Sequence, residues 1–136
     1  MRRSLVIASG FLMSAQAFGA EPSIEVHRGD DASLFGSCVP SLIAENKSAE
    51  TVEYLQVDVL FTLANGEQRD IELGSAYREG ILFPIAPGAR AILKQHLDLS
   101  RALGVPCDQV KSRRVVGVLC QAAGGRHCAS PVSAKP

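Results

Sequence analysis

The chain has 136 residues with 14 basic and 14 acidic side chains and is formally neutral. That balance lacks the positive footprint a nucleic-acid partner requires. The apolar run Leu5–Met13 is about nine residues long, against roughly twenty for a bilayer span, and no later stretch is long and apolar enough to cross; membrane insertion of the mature protein is excluded on this reading.

Arg2 and Arg3 precede the apolar run, and the small residues Ser14, Ala15 and Ala17 follow it. Positive, apolar, then small is the layout of a secretory signal peptide. Residues 1–20 are therefore expected to be removed, with cleavage between 17 and 20, and the protein is expected in the periplasm or secreted. Residues 21–128 then form a single domain, and 129–136 (Ala-Ser-Pro-Val-Ser-Ala-Lys-Pro) read as a disordered tail.

Along the mature chain, Ser23–His27 suggests an edge strand and Ser41–Glu45 another, with a turn at Asn46–Glu50. Thr51–Leu63 is the clearest element. Leu55, Val57, Val59, Phe61 and Leu63 share one parity, and Tyr54, Gln56, Asp58 and Thr62 share the other. Such alternation predicts a strand with one buried and one wet face. At the following Asn65-Gly66, a two-residue loop would set Phe61 against Asp70. The three-residue loop Ala64-Asn65-Gly66 sets Val59 opposite Ile71 and Val57 opposite Leu73, so the apolar faces agree.

Pro84, Pro87 and Gly88 mark a corner. Ala89–Leu99 alternates again, with His96 outward. Ser100–Gly104 fits one helical turn, and Arg114–Ala122 is the last long strand, turned back at Gly124-Gly125. Around a loop of Ala123-Gly124-Gly125, Cys120 falls opposite Cys128, within disulfide reach. All four cysteines (Cys38, Cys107, Cys120, Cys128) lie in the exported part, and an even count there favours two disulfides over a metal site.

About seven short strands with regular turns predict an all-β fold, an antiparallel β-sandwich. In strand pattern the chain resembles fibronectin type III and immunoglobulin-like domains, without the buried Trp of the antibody type. In size and export signal it is similar to small exported bacterial proteins with one such domain, including a group that resembles cytokine receptors. The resemblance implies that Cys38, at the start of the second strand, meets Cys107, after the fifth. It also implies a non-enzymatic module that binds a protein partner.

The residues add little chemistry. Arg28-Gly29-Asp30 is an integrin-ligand tripeptide, and also ordinary turn composition. Asn46-Lys47-Ser48 is a glycosylation pattern in a eukaryotic host, and otherwise a turn. His27, His96 and His127 are scattered, and the acidic residues Asp30, Asp31, Glu50 and Glu53 lack the spacing of a calcium loop. No motif asks for a cofactor. Residues 21–88 carry a net charge of −8 and residues 89–136 of +6. Interleaved in one fold these neutralise each other; segregated on two faces they would let copies form a homodimer. The expected binding surface combines Tyr54, Gln56 and Asp58 with the basic final hairpin, Arg113 and Arg114. The alternative is a periplasmic inhibitor or chaperone-like accessory, or a small hydrolase whose site assembles only in space.

Overall fold

The computed structural model describes residues 21–75, 77–78, 81–82, 84–95 and 102–136, with the backbone alone at 77–78 and 81–82. The expected signal peptide, the outward His96 and the Ser100 cap lie outside these residues. Ala102–Gly104 carries no helical backbone.

Among the described residues, eleven strands follow in chain order: β1 Ile24–Arg28, β2 Ala32–Leu34, β3 Ser37–Val39, β4 Ser41–Asn46, β5 Val52–Leu63, β6 Gln68–Gly74, β7 Tyr77–Arg78, β8 Ile81–Leu82, β9 Arg90–Lys94, β10 Val110–Ala122 and β11 Val132–Ala134. Two 3-10 turns, Cys107–Gln109 and Ala123–Gly125, complete the regular elements of the described residues. The fold is all-β. Among the described residues, no helix is long and apolar enough to cross a membrane.

The strands are not divided into two separately hydrogen-bonded sheets. Hydrogen bonds run through one seven-stranded sheet in the order β10-β5-β6-β9-β4-β1-β11, flanked by the two-stranded pairs β2-β3 and β7-β8. Nor is every pair antiparallel, because β1 and β11 run parallel. Alternation fixes which face of a strand is buried, but not which strand lies beside it. The sheet curls on itself: β10 at one edge and β11 at the other come into contact, and the Cys120–Cys128 disulfide draws the chain back between them.

The β5–β6 hairpin adopts the three-residue loop, with Val59 opposite Ile71 and Val57 opposite Leu73. Gly66 takes φ 89°, a left-handed geometry that a side chain would strain. The buried parity of β5 (Leu55, Val57, Val59, Phe61, Leu63) meets Leu42, Ile71, Leu73 and Leu93 in one core. Each of these side chains contributes about 1.5–3 kcal/mol by leaving water.

The tail needs correction. Val132–Ala134 pairs with Ile24–Val26, extended by Ile24 N–H to Pro131 O (2.9 Å) and Lys135 N–H to Val26 O (2.8 Å). Composition alone suggested disorder there. Val132 and Ala134 nevertheless pack against the core, and the open outer edge of β1 supplies the backbone partners.

Both disulfides form as expected, Cys38–Cys107 and Cys120–Cys128, with sequence separations of 69 and 8. On the chain-entropy model the long loop stabilises by about 4 kcal/mol and the short one by about 2.5 kcal/mol. Two such bonds are what an oxidising, export-side environment permits.

Candidate protein-binding surface

The outward parity of β5 forms an ordered polar row. Tyr54 OH donates to Gln56 Oε1 at 2.9 Å, and Gln56 Nε2 donates to Asp58 Oδ1 at 3.0 Å. Residues two apart on a strand share a face, so the three side chains brace one another along it. On β10, Gln121, Leu119 and Gly117 stand opposite Tyr54, Gln56 and Asp58. A Cβ at Gly117 would lie 3.0 Å from Asp58 Oδ2, so the missing side chain lets the carboxylate lie flat across the strand. Immediately before it, the register shifts between Val115 and Gly117, and Val116 is the extra residue of a bulge. Val116, at the bulge, is 46% exposed; Val118, 44% exposed, pairs in register with the buried Val57 and so lies on the opposite side of the strand from the polar row.

Arg114 pairs in register with Leu60 and shares the face of the polar row, exposed to solvent. Arg113 does not share it. Opposite Phe61, it points to the inner side, where its side chain is only 6% exposed. Its guanidinium forks onto Asp31 at 3.0 and 2.5 Å and lies 5.4 Å from the Phe61 ring centroid. The expected basic pair is therefore split by strand alternation: Arg114 remains a surface residue, and Arg113 is an internal clasp. The Arg113 hydrogen bond, helped by Arg28 at 2.8 Å, holds the Asp31 carboxyl below its ordinary pKa against the opposing effect of burial. Asp31 also lies within 4.8 Å of the Cys38 and Cys107 sulfurs, but these are bonded to each other and offer no thiolate.

A second surface lies at the β2–β3 hairpin. Phe35 (φ 50°) and Gly36 (φ 76°) form its two-residue tip, and the Phe35 side chain is 95% exposed. Positive φ at both positions is the primed turn that matches strand twist, where Asn-Gly is the favoured pair. The hairpin is anchored by the Cys38–Cys107 disulfide, by Cys38 N–H to Val105 O (2.7 Å), and by Gly104 N–H to Ser37 Oγ (2.9 Å). At its base is an open groove of about 280 Å³ with Val39, Pro40, Ile43 and Ile92 among its lining residues. The hairpin's mark in the sequence is slight, since the turn pair Phe35-Gly36 carries a glycine but neither Asn nor Asp.

The other sequence candidates resolve as structure. Asn46 is buried, donating from Nδ2 to Glu50 O (2.8 Å) and Ile85 O (2.9 Å) and accepting from Ser48 N–H (3.0 Å) and Ser48 Oγ (2.6 Å). Its amide is thus engaged in the fold rather than presented for glycosylation. Arg28-Gly29-Asp30 does not project as a loop tip: Gly29 N–H bonds Ser41 O (2.9 Å), Ser41 Oγ bonds Asp30 O (2.7 Å), and Arg28 turns to Asp31. His27 lies 3.8 Å from Glu45, and His127 forms a bridge with Gln121. The Glu50 carboxylate accepts from the Ala129 and Ser130 amides, and these bonds lower its pKa.

No family model matches the chain. No curated protein matches it. A solved structure of IrmA from Escherichia coli aligns with a TM-score of 0.45 and 13% identity, over 85% of this chain and 86% of that one.

Proposed function

We propose that this chain is an exported, non-catalytic protein-binding module of the immunoglobulin or fibronectin type III-like kind, acting in the envelope or on a host partner. The domain type draws support from the way β6 and β9 meet. Among the described residues they share the single pair Gly74–Lys94, with β10-β5-β6 and β9-β4-β1-β11 as two sections around one core.

The observation that carries the binding role is the braced row Tyr54–Gln56–Asp58 beside Arg114, with the bulged Val116 at its margin. Side chains already held in place lose little freedom on docking. Tyr and Arg are the residue types that concentrate binding energy at interfaces, and the partly exposed Val116 supplies apolar area.

The test is affinity capture from envelope and host-cell extracts with the wild type, Tyr54→Ala and Arg114→Glu. A specific partner held by the wild type and weakened about tenfold or more by each substitution supports this face, since 1.4 kcal/mol corresponds to that factor. A partner held equally by all three removes it. Capture of no partner by the wild type counts against the binding role itself.

A further inference from the structure

We propose that the β2–β3 hairpin and the groove at its base are the two halves of a self-complementary contact: Phe35 of one copy seats in the groove of a second, and the second copy's Phe35 seats in the first. This rests on reading the chain as a binding module, but uses a surface separate from the β5–β10 face.

Three observations converge on a second copy as the occupant. The first is a knob with no use inside its own fold. Phe35 occupies a left-handed turn position and is 95% exposed on a hairpin that a disulfide holds rigid. Isolated exposed apolar residues are common, but a large ring fixed at a turn tip is a preformed anchor.

The second is a matching hole on the same surface. Ala32 and Val39, which pair across the base of the hairpin, both line the groove. The tip is three residues further along the hairpin from Ala32, or roughly 10 Å at strand rise. Apolar cavities of about 150 Å³ hold a benzene ring, so the groove of about 280 Å³ has room for a phenyl side chain. Ile92, 52% exposed at this groove, is the apolar surface such a ring would cover. A knob and a hole on one face satisfy each other in pairs under a two-fold axis, and the contact closes at the dimer.

The third is charge. Asp30 and Lys94 both line this groove. Among the described residues neither side chain has an ion-pair partner, although Arg28, Glu45, Lys47 and Arg90 are all paired. Under a two-fold axis, Asp30 of each copy can face Lys94 of the other. The contact is then neutral, with one opposite-charge pair at each end.

The experiment is sedimentation equilibrium on the oxidised protein, expressed as the full chain and recovered from the periplasm of a bacterial host. The wild type is expected to dimerise. Phe35→Ser should weaken the dimer at least tenfold while leaving its circular dichroism and both disulfides unchanged. Asp30→Lys and Lys94→Asp should each weaken it, and the double exchange Asp30→Lys/Lys94→Asp should restore it, as a purely structural role for either charge would not. A wild type that stays monomeric at every concentration reached overturns the proposal. So does a dimer that survives Phe35→Ser, or charge variants whose double exchange gives no recovery. Partner capture through Tyr54 and Arg114 is scored separately and does not depend on these results.

Discussion

Arg113 and Asp31 are 82 residues apart in sequence, yet the guanidinium of one closes on both carboxylate oxygens of the other. The pair ties the last long strand to the segment between β1 and β2, and the Phe61 ring lies beside the cation. Replacing Arg113 with Ala would leave Asp31 without its main partner and uncover the ring. We expect a loss of about 3 kcal/mol, near the value for removing one member of a buried pair. Urea unfolding of the oxidised protein measures it. Arg114→Ala, on the opposite face, should stay within about 0.5 kcal/mol, as surface changes do.

The same carboxylate sets the acid limit. The pKa of Asp31 in the fold lies below its ordinary 3.8, and that of Glu50 below its ordinary 4.5. A depressed folded pKa gives stability that is fully present above the ordinary value and lost as pH falls through the folded one. Stability should therefore hold from neutrality to about pH 5 and decline below it. Asp31→Asn and Glu50→Gln should lower the neutral plateau and flatten the acid decline. A melting-temperature profile between neutral and strongly acidic pH reads both, and an unchanged acid slope in the double variant would refute the assignment.

Asn46 makes a local prediction. Its buried side chain closes the β4–β5 turn and reaches the Ile85 carbonyl. Asn46→Ala removes four hydrogen bonds and takes the acceptor from the buried Ser48 amide, although the Ile85 and Glu50 carbonyls keep Val52 N–H (3.0 Å) and Ser48 Oγ (3.3 Å). A buried group left unmade costs about 1–3 kcal/mol. A net loss of about 3 kcal/mol is expected by chemical denaturation. Asn46→Asp should lose nearly as much at neutral pH, because a carboxylate cannot donate to those carbonyls.

Phe35 predicts the opposite sign. A left-handed backbone costs a bulky residue about 1–2 kcal/mol, whereas Asn tolerates it in this turn. Phe35→Asn should stabilise the isolated monomer by about 1 kcal/mol, measured at a concentration too low for association. A destabilised monomer would show that the ring makes a contact within its own chain.

The sequence made strand faces legible and strand neighbours obscure. Parity along β5 predicted both its buried side and the pairing of Val59 with Ile71, because a hairpin is a local object. Cys120 and Cys128 were legible for the same reason. The β1–β11 pairing joins residues more than a hundred positions apart, and nothing in a Ser-, Ala- and Pro-rich tail announces it. Arg113 shows the limit within one strand. Beside Arg114 it reads as half of a basic patch, and only a core-side carboxylate from another segment explains an inward cation. The row of Tyr54, Gln56 and Asp58 was visible as a face. The hairpin tip at Phe35 was not, since a two-residue turn without Asn or Asp lacks the usual marker.

The parallel pairing of β1 with β11 also has a mechanical side. Segments attached before Glu21 and after Pro136 would pull on these two strands in opposite directions along their length. That loads the ladder in shear, so its bonds must fail together, whereas an antiparallel hairpin pulled at its open end peels one bond at a time. Once the two strands part, the Cys38–Cys107 crosslink keeps everything between those residues out of the stretch. Under tension the protein should act as a short, stiff link that yields abruptly and then lengthens only by its end segments.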